Sequence, residues 1–203
     1  MNTLLKPAAL NGAYETNNDS LISEMAWAYG IASCLYEKME RAATYCLYAA
    51  KLDAKLGKPS ESYKCYFLSS LLYNTRDYEK SLQYMQASIQ RETDTSQGAK
   101  HGIINRYNTV ALCYQRMEKF DSAFFFYDAA MRLAKSLNDT VWQATLSGNE
   151  GQIYYLQKRY TVAKPLLFYD YEVSKEIMKK TAPRIRCNGL PVPVWQKANG
   201  TVR

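Results

Sequence analysis

A chain of 203 residues, 47% hydrophobic and 22% charged, has the size and balance of a globular protein able to bury a real core. No apolar run nears the roughly 18 residues a membrane-crossing helix needs. The net charge of +7 is concentrated at one end, since residues 1–176 hold 20 basic and 19 acidic side chains and residues 177–203 hold six basic and none acidic. Such an end attracts polyanions weakly and in a salt-dependent way, which predicts no specific nucleic-acid binding.

Residues 1–20, with one lysine, one proline and a broken apolar patch, read as an irregular segment and a poor signal peptide. Helical periodicity follows in pairs. MAWAYGIASCLYE precedes MERAATYCLYAAKLDAKLG (39–57), and SYKCYFLSSLLYN precedes DYEKSLQYMQASIQRETD (77–94). IINRYNTVALCYQ precedes FDSAFFFYDAAMRLAKSLN (120–138), and ATLSGNEGQIYYL precedes KRYTVAKPLLFYDYEVSKE (158–176). Breaks such as Asn74-Thr75-Arg76-Asp77 and Gly57-Lys58-Pro59-Ser60 separate them. The second member of each pair carries a small residue at a matching place: Ala43, Ser81, Ala123 and Ala163, at steps of 38, 42 and 40. Ala50, Ser88 and Ala130 repeat the pattern seven residues on, where the last pair has Asp170 instead. Near-constant spacing of this kind marks a repeat protein. The predicted repeats span about 21–57, 60–97, 101–138 and 140–178, with a basic Pro- and Gly-containing tail at 179–203.

Phe124, Phe125 and Phe126 stand side by side and sweep roughly 200° of a helix. That suits a helix buried between its own partner and the next hairpin, with alanines where helix axes come closest.

These residues resemble the tetratricopeptide repeat (TPR). That motif places small, bulky and small residues in its second helix, after Trp, Leu, Gly and Tyr in its first. Trp27 lies sixteen residues before Ala43, while Tyr114 and Tyr154 lie nine before Ala123 and Ala163. Gly151-Gln-Ile-Tyr154, Tyr78-Glu-Lys-Ser81 and Phe120-Asp-Ser-Ala123 match its internal phrases. Leu72 and Cys34 stand where the second and first repeats would have the tyrosine. The resemblance covers about residues 21–176 and implies an all-α, right-handed solenoid of four helical hairpins. Steps near 40 are similar to the longer-helix arrays of bacterial signalling proteins.

The resemblance also implies a concave groove lined by the first helices, binding a protein or peptide. The family's groove offsets fall on Tyr63, Tyr66 and Tyr73, on Asn105, Asn108, Gln115 and Arg116, and on Gln152 and Tyr155. Tyrosine supplies a rigid apolar body with a polar tip, amides bond peptide backbone, and Arg116 suits a carboxylate or phosphate. The variant that clamps a C-terminal carboxylate is not expected: Asn149 matches, but its partner lysines are absent. A protein scaffold or adaptor is the expected function, with a regulator's sensory input module as the alternative. An uncovered terminal repeat would offer a homodimer face.

Five cysteines (34, 46, 65, 113, 187) show neither CxxC nor ligand spacing, and thiols without a pairing framework suit a reducing cytoplasm. His101 is the lone histidine, and no Ser/His/Asp set, phosphate loop or HExxH is present. The expectation is a non-enzyme with no cofactor or metal.

Overall fold

The computed structural model describes residues 8–36, 38–58 and 60–187, with side-chain surroundings for 11–180 of these. Among them the chain is all-α, in nine helices: α1 (Ala8–Glu15), α2 (Asp19–Leu35), α3 (Met39–Lys55), α4 (Ser62–Asn74), α5 (Tyr78–Gln90), α6 (Gln97–Arg116), α7 (Phe120–Ser136), α8 (Thr140–Leu156) and α9 (Tyr160–Cys187). Two compact units form, Met1–Asn138 and Asp139–Arg203. The first holds the antiparallel pairs α2/α3, α4/α5 and α6/α7; the second is the α8/α9 hairpin.

Helix starts are capped from the sequence. Asn18, Asp77, Ser96 and Asp139 each accept hydrogen bonds from backbone N–H groups of the first turn that have no intrahelical partner. The turns inside three hairpins are the same device. Asp77 N donates to Leu72 O, Lys119 N to Tyr114 O, and Arg159 N to Tyr154 O, at 2.9, 2.9 and 2.8 Å. Arg76, Glu118 and Lys158 take left-handed φ of 65°, 58° and 60° between them. This is the Schellman ending, here built without the usual glycine.

Close approach between paired helices is achieved with small residues. Along α4/α5 the contact is reciprocal: Ser69 Oγ donates to Ser81 O at 2.8 Å and Ser81 Oγ to Ser69 O at 2.8 Å. One heptad away Ser62 Oγ donates to Ser88 O at 3.0 Å and Ser88 Oγ to Ser62 O at 2.8 Å. Ala123, Ala130 and Ala134 line α7's seam with no exposure, around a fully buried Tyr127. In α8/α9 the room comes from Gly148 and Gly151, which face Asp170 and Leu167. Asp170 thus fits at a small-residue position because the opposite helix has no side chain there.

Four expectations are corrected. The first repeat's seam is Ala42, Cys46 and Ala49, all fully buried, and not Ala43, Leu47 and Ala50. The reason is the turn: Lys38 N donates to Ser33 O, which sets the helix start so that Ala42 stands four residues after the cap, as Ser81 and Ala123 do. Phe125 is 63% exposed, so α7 is not buried all round; at 100° per residue it lies 200° from Ala123, on the far side from the seam. Residues 1–20 are not wholly irregular, because α1 packs on α2 through buried Ala13, with Tyr14 against Tyr48 at 6.4 Å. Helix α9 runs to Cys187, past the expected end of the last repeat at 178; residues 188–203 of the tail lie outside the described residues.

Candidate functional site

Helices α4 and α6 run side by side in the first unit and carry the residues expected to face a groove. Tyr66 and Tyr73 are seven apart on α4, two full turns, and so share a face. Asn105 and Arg116 are eleven apart on α6, about three turns, and share another. The two faces meet. Asn105 Nδ2 donates to Tyr66 Oη at 2.7 Å, and Arg116 Nε donates to Tyr73 Oη at 3.3 Å. Each bond ties a tyrosine to the next hairpin and fixes its ring. The bond from Arg116 to the Tyr73 hydroxyl holds the guanidinium above its usual, already high, protonation range. Tyr73 also lies 5.6 Å from Tyr78, ring centre to ring centre. Around them opens a cleft of about 370 Å³, lined by Tyr73, Asn74, Arg76, Tyr78 and Arg116. Tyr63 lies on the same helix and is exposed.

Two expected groove residues are elsewhere. Gln115 is 7% exposed and its Oε1 accepts a 2.7 Å bond from Tyr127 Oη, so it serves the α6/α7 seam. Asn108 is buried too. The helix period explains both. Gln115 and Arg116 are neighbours, 100° apart, and cannot both look into one groove; Asn108 is turned 60° from Asn105. Gln152 and Tyr155, both exposed, lie on α8 in the second unit.

A buried charge was not anticipated. Arg106, 8% exposed, reaches across the α5/α6 junction to Glu92 at 2.8 Å. It also donates to Ser88 Oγ at 3.0 Å and Ser62 Oγ at 3.2 Å, and lies 5.6 Å over the Tyr66 ring. Glu92's carboxyl is held below its ordinary range, first by the backbone N–H of Asp94 and then by Arg106 and Ser62. Arg106 thus links the second serine pair to the base of Tyr66. The sequence signal was present: Arg106 falls inside an apolar helical pattern, where a cation needs a partner.

His101 Nδ1 is 2.9 Å from Gln97 O, within its own helix. Cys46, Cys65 and Cys113 are buried, and burial pushes each thiol's pKa up, that of Cys46 to about 12. Among the described residues no helix is long and apolar enough to cross a membrane.

No protein-family model matches the chain, and no curated protein sequence does. Among solved structures the fold is similar to MamA from Desulfovibrio magneticus RS-1, with a TM-score of 0.59 at 16% identity, covering 82% of each chain. It is similar to BtubC from P. vanneervenii, with a TM-score of 0.61 at 16% identity over 87% of this chain and 68% of that one. It is also similar to the Rap conjugation gene regulator of plasmid pLS20 in complex with the Phr* peptide. There the TM-score is 0.61 at 13% identity, covering 85% of this chain and 47% of Rap. These are TPR-like helical repeat proteins, and this chain has that fold.

Proposed function

We propose that the chain is a non-catalytic, cytoplasmic scaffold of the long-period TPR kind, which takes a protein or peptide ligand on the α4/α6 face. The observation that carries the reading is the pair of cross-helix bonds, Asn105 to Tyr66 and Arg116 to Tyr73. Tyrosines held in this way lose little freedom when a ligand packs on them. Arg116 uses Nε for Tyr73 and lines the cleft together with Arg76, a pair of cations suited to a carboxylate or phosphate on the ligand. Gln115 and Asn108 drop out of the contacting set.

The second reading, a sensory input module of a bacterial regulator, is favoured by one observation: Rap, a gene regulator, has a similar fold and was solved with a bound peptide. Both readings predict capture of a ligand by the immobilised full chain from lysate, followed by mass spectrometry. Arg116→Glu and Tyr66→Ala should each lose it. Retention of every partner by both variants refutes the α4/α6 assignment.

A further inference from the structure

The second unit repeats, uncovered, a surface that the first unit covers with a helix. In the first unit the α4/α5 hairpin presents Tyr73, Tyr78, Leu82 and Met85, and α6 lays Val110, Cys113, Tyr114 and Met117 onto them. Counting from the small residue of each repeat, Ser81 and Ala163, the equivalents in α8/α9 are Tyr155, Tyr160, Lys164 and Leu167. The local geometry is reproduced: Tyr73 and Tyr78 have ring centres 5.6 Å apart at 58°, Tyr155 and Tyr160 5.4 Å apart at 60°. In α8/α9 these residues, with Phe168 and Tyr171, line an open and mainly apolar cleft of about 450 Å³. Met85 is fully buried and Tyr73 and Tyr78 are half-buried, whereas Leu167 is half-buried and Tyr155 and Tyr160 are 58% and 55% exposed.

We infer that this α8/α9 face is a docking site for an amphipathic helix of another protein, bearing the α6-type stripe with an acidic residue placed opposite Lys164. The relief is that of a surface already seen, two hairpins earlier in the chain, to receive a helix. The stripe on α6, at 110, 113, 114 and 117, has the i, i+3, i+4, i+7 spacing by which amphipathic helices enter apolar grooves. Lys164 stands where the covered hairpin has Leu82, so an incoming carboxylate gains a partner that α6 never needs. Residues 188–203 supply Pro191 and Pro193 in place of helix donors, and a second copy's α6 is already held by its own α5 and α7. The proposal uses only residues of the second unit and does not depend on the α4/α6 reading.

The probe is a labelled synthetic peptide of this chain's residues 97–117, with Val110 changed to Asp in a control peptide. Fluorescence anisotropy follows its binding to the full-length chain. Binding is expected, weakened at least about tenfold by Phe168→Glu or Tyr171→Glu and by the control change. Both positions are exposed, and circular dichroism checks that the variants stay folded. Lys164→Glu should weaken a peptide carrying an added glutamate and leave the parent peptide's binding within about twofold. Three results overturn the proposal. One is no binding, or binding indifferent to Phe168→Glu and Tyr171→Glu. Another is a self-association in sedimentation that Phe168→Glu abolishes, which would make a second copy the occupant. The third is binding that appears only once residues 188–203 are removed, which would give the face to that segment.

Discussion

Gly30 offers a sharp test of how the hairpins hold together. A Cβ added there would stand 2.4 Å from Cys46 Sγ and 3.2 Å from Ala42 O on the facing helix. The first distance is more than about 1 Å inside ordinary contact. Cys46 is fully buried and turns about a single side-chain torsion, so its sulfur has nowhere to go; the second atom is backbone and moves only with α3. Overpacking costs about 1–3 kcal/mol, and a contact this short belongs at the upper end, about 2–3 kcal/mol. Against it, alanine is better than glycine inside a helix by about 1 kcal/mol. Gly30→Ala is therefore expected to lose about 1–2 kcal/mol net, although helix propensity alone predicts a gain.

The cycle with Cys46→Ala isolates the cause. Alone, Cys46→Ala removes one buried heavy atom and should lose about 1 kcal/mol, like other small core deletions. Together, the new methyl occupies the space the sulfur vacates, so the double variant should be no worse than either single one, a coupling of at least about 1 kcal/mol. Urea unfolding followed through Trp27, which lies on α2 three residues before Gly30, reads the right unit once Trp142 and Trp195 are changed to Phe in every variant. A stabilised Gly30→Ala, or effects that add within about 0.5 kcal/mol, would refute the small-residue account of the seam.

Ala123→Leu should destabilise the first unit by about 1–3 kcal/mol, since Ala123 is fully enclosed on the α6/α7 seam; an unchanged unfolding midpoint would count against it. Arg106→Ala should cost about 3 kcal/mol in urea unfolding, because it leaves Glu92 without its ion pair and the Ser62–Ser88 pair without its outer donor. Arg106→Met with Glu92→Met should recover most of that loss, as buried pairs replaced by packed apolar residues often do. Burial beside Gly148 holds the Asp170 carboxyl above its ordinary range, partly offset by a bond from Ser174. A raised carboxylate destabilises the fold above its folded pKa, and the penalty disappears as pH falls through that value. Asp170→Asn should therefore raise the thermal midpoint at neutral pH, with the two proteins converging near about pH 4.

Much of the architecture was legible because it rests on periodicity and on small residues at regular places. The small-residue positions of α5, α7 and α9, at Ser81, Ala123 and Ala163, are buried on the seams as their spacing implied. The slip in α3 has a plain origin. Adjacent alanine pairs, Ala42–Ala43 and Ala49–Ala50, satisfy two registers equally well, and only the backbone bond from Lys38 to Ser33 chooses between them. Helix α1 was hidden by its length, eight residues with Asn11 and Gly12 inside, too short and too weak in propensity to stand without α2. The left-handed turn residues were hidden because Arg76, Glu118 and Lys158 are not the glycines that advertise such a backbone. At the candidate site, offsets carried over residue by residue ignored the 100° step, which is why Gln115 and Arg116 were grouped although they point apart.

The same device explains both the cohesion of the hairpins and where ligands can enter. Antiparallel helices brought together by serine, alanine and glycine leave most of their bulky side chains to the flanks, Tyr127 in the α6/α7 seam excepted. On α4 and α5 the flanks carry Tyr66, Tyr73 and Tyr78, which a neighbouring helix then meets with Asn105, Arg116 and Tyr114. Where the neighbour is present, its polar side chains orient the tyrosines on the face proposed above for recognition; on α8/α9 the counterparts of Tyr73 and Tyr78, Tyr155 and Tyr160, stand more than half exposed. On the two proposals made above, a tyrosine-rich helical repeat has two kinds of binding surface built from one pattern, one completed within the chain and one awaiting a helix. Exchanging Tyr155 and Tyr160 for serine should abolish capture on the second while leaving Arg116-dependent capture on the first intact, and loss of both together would show that the two surfaces are not separate.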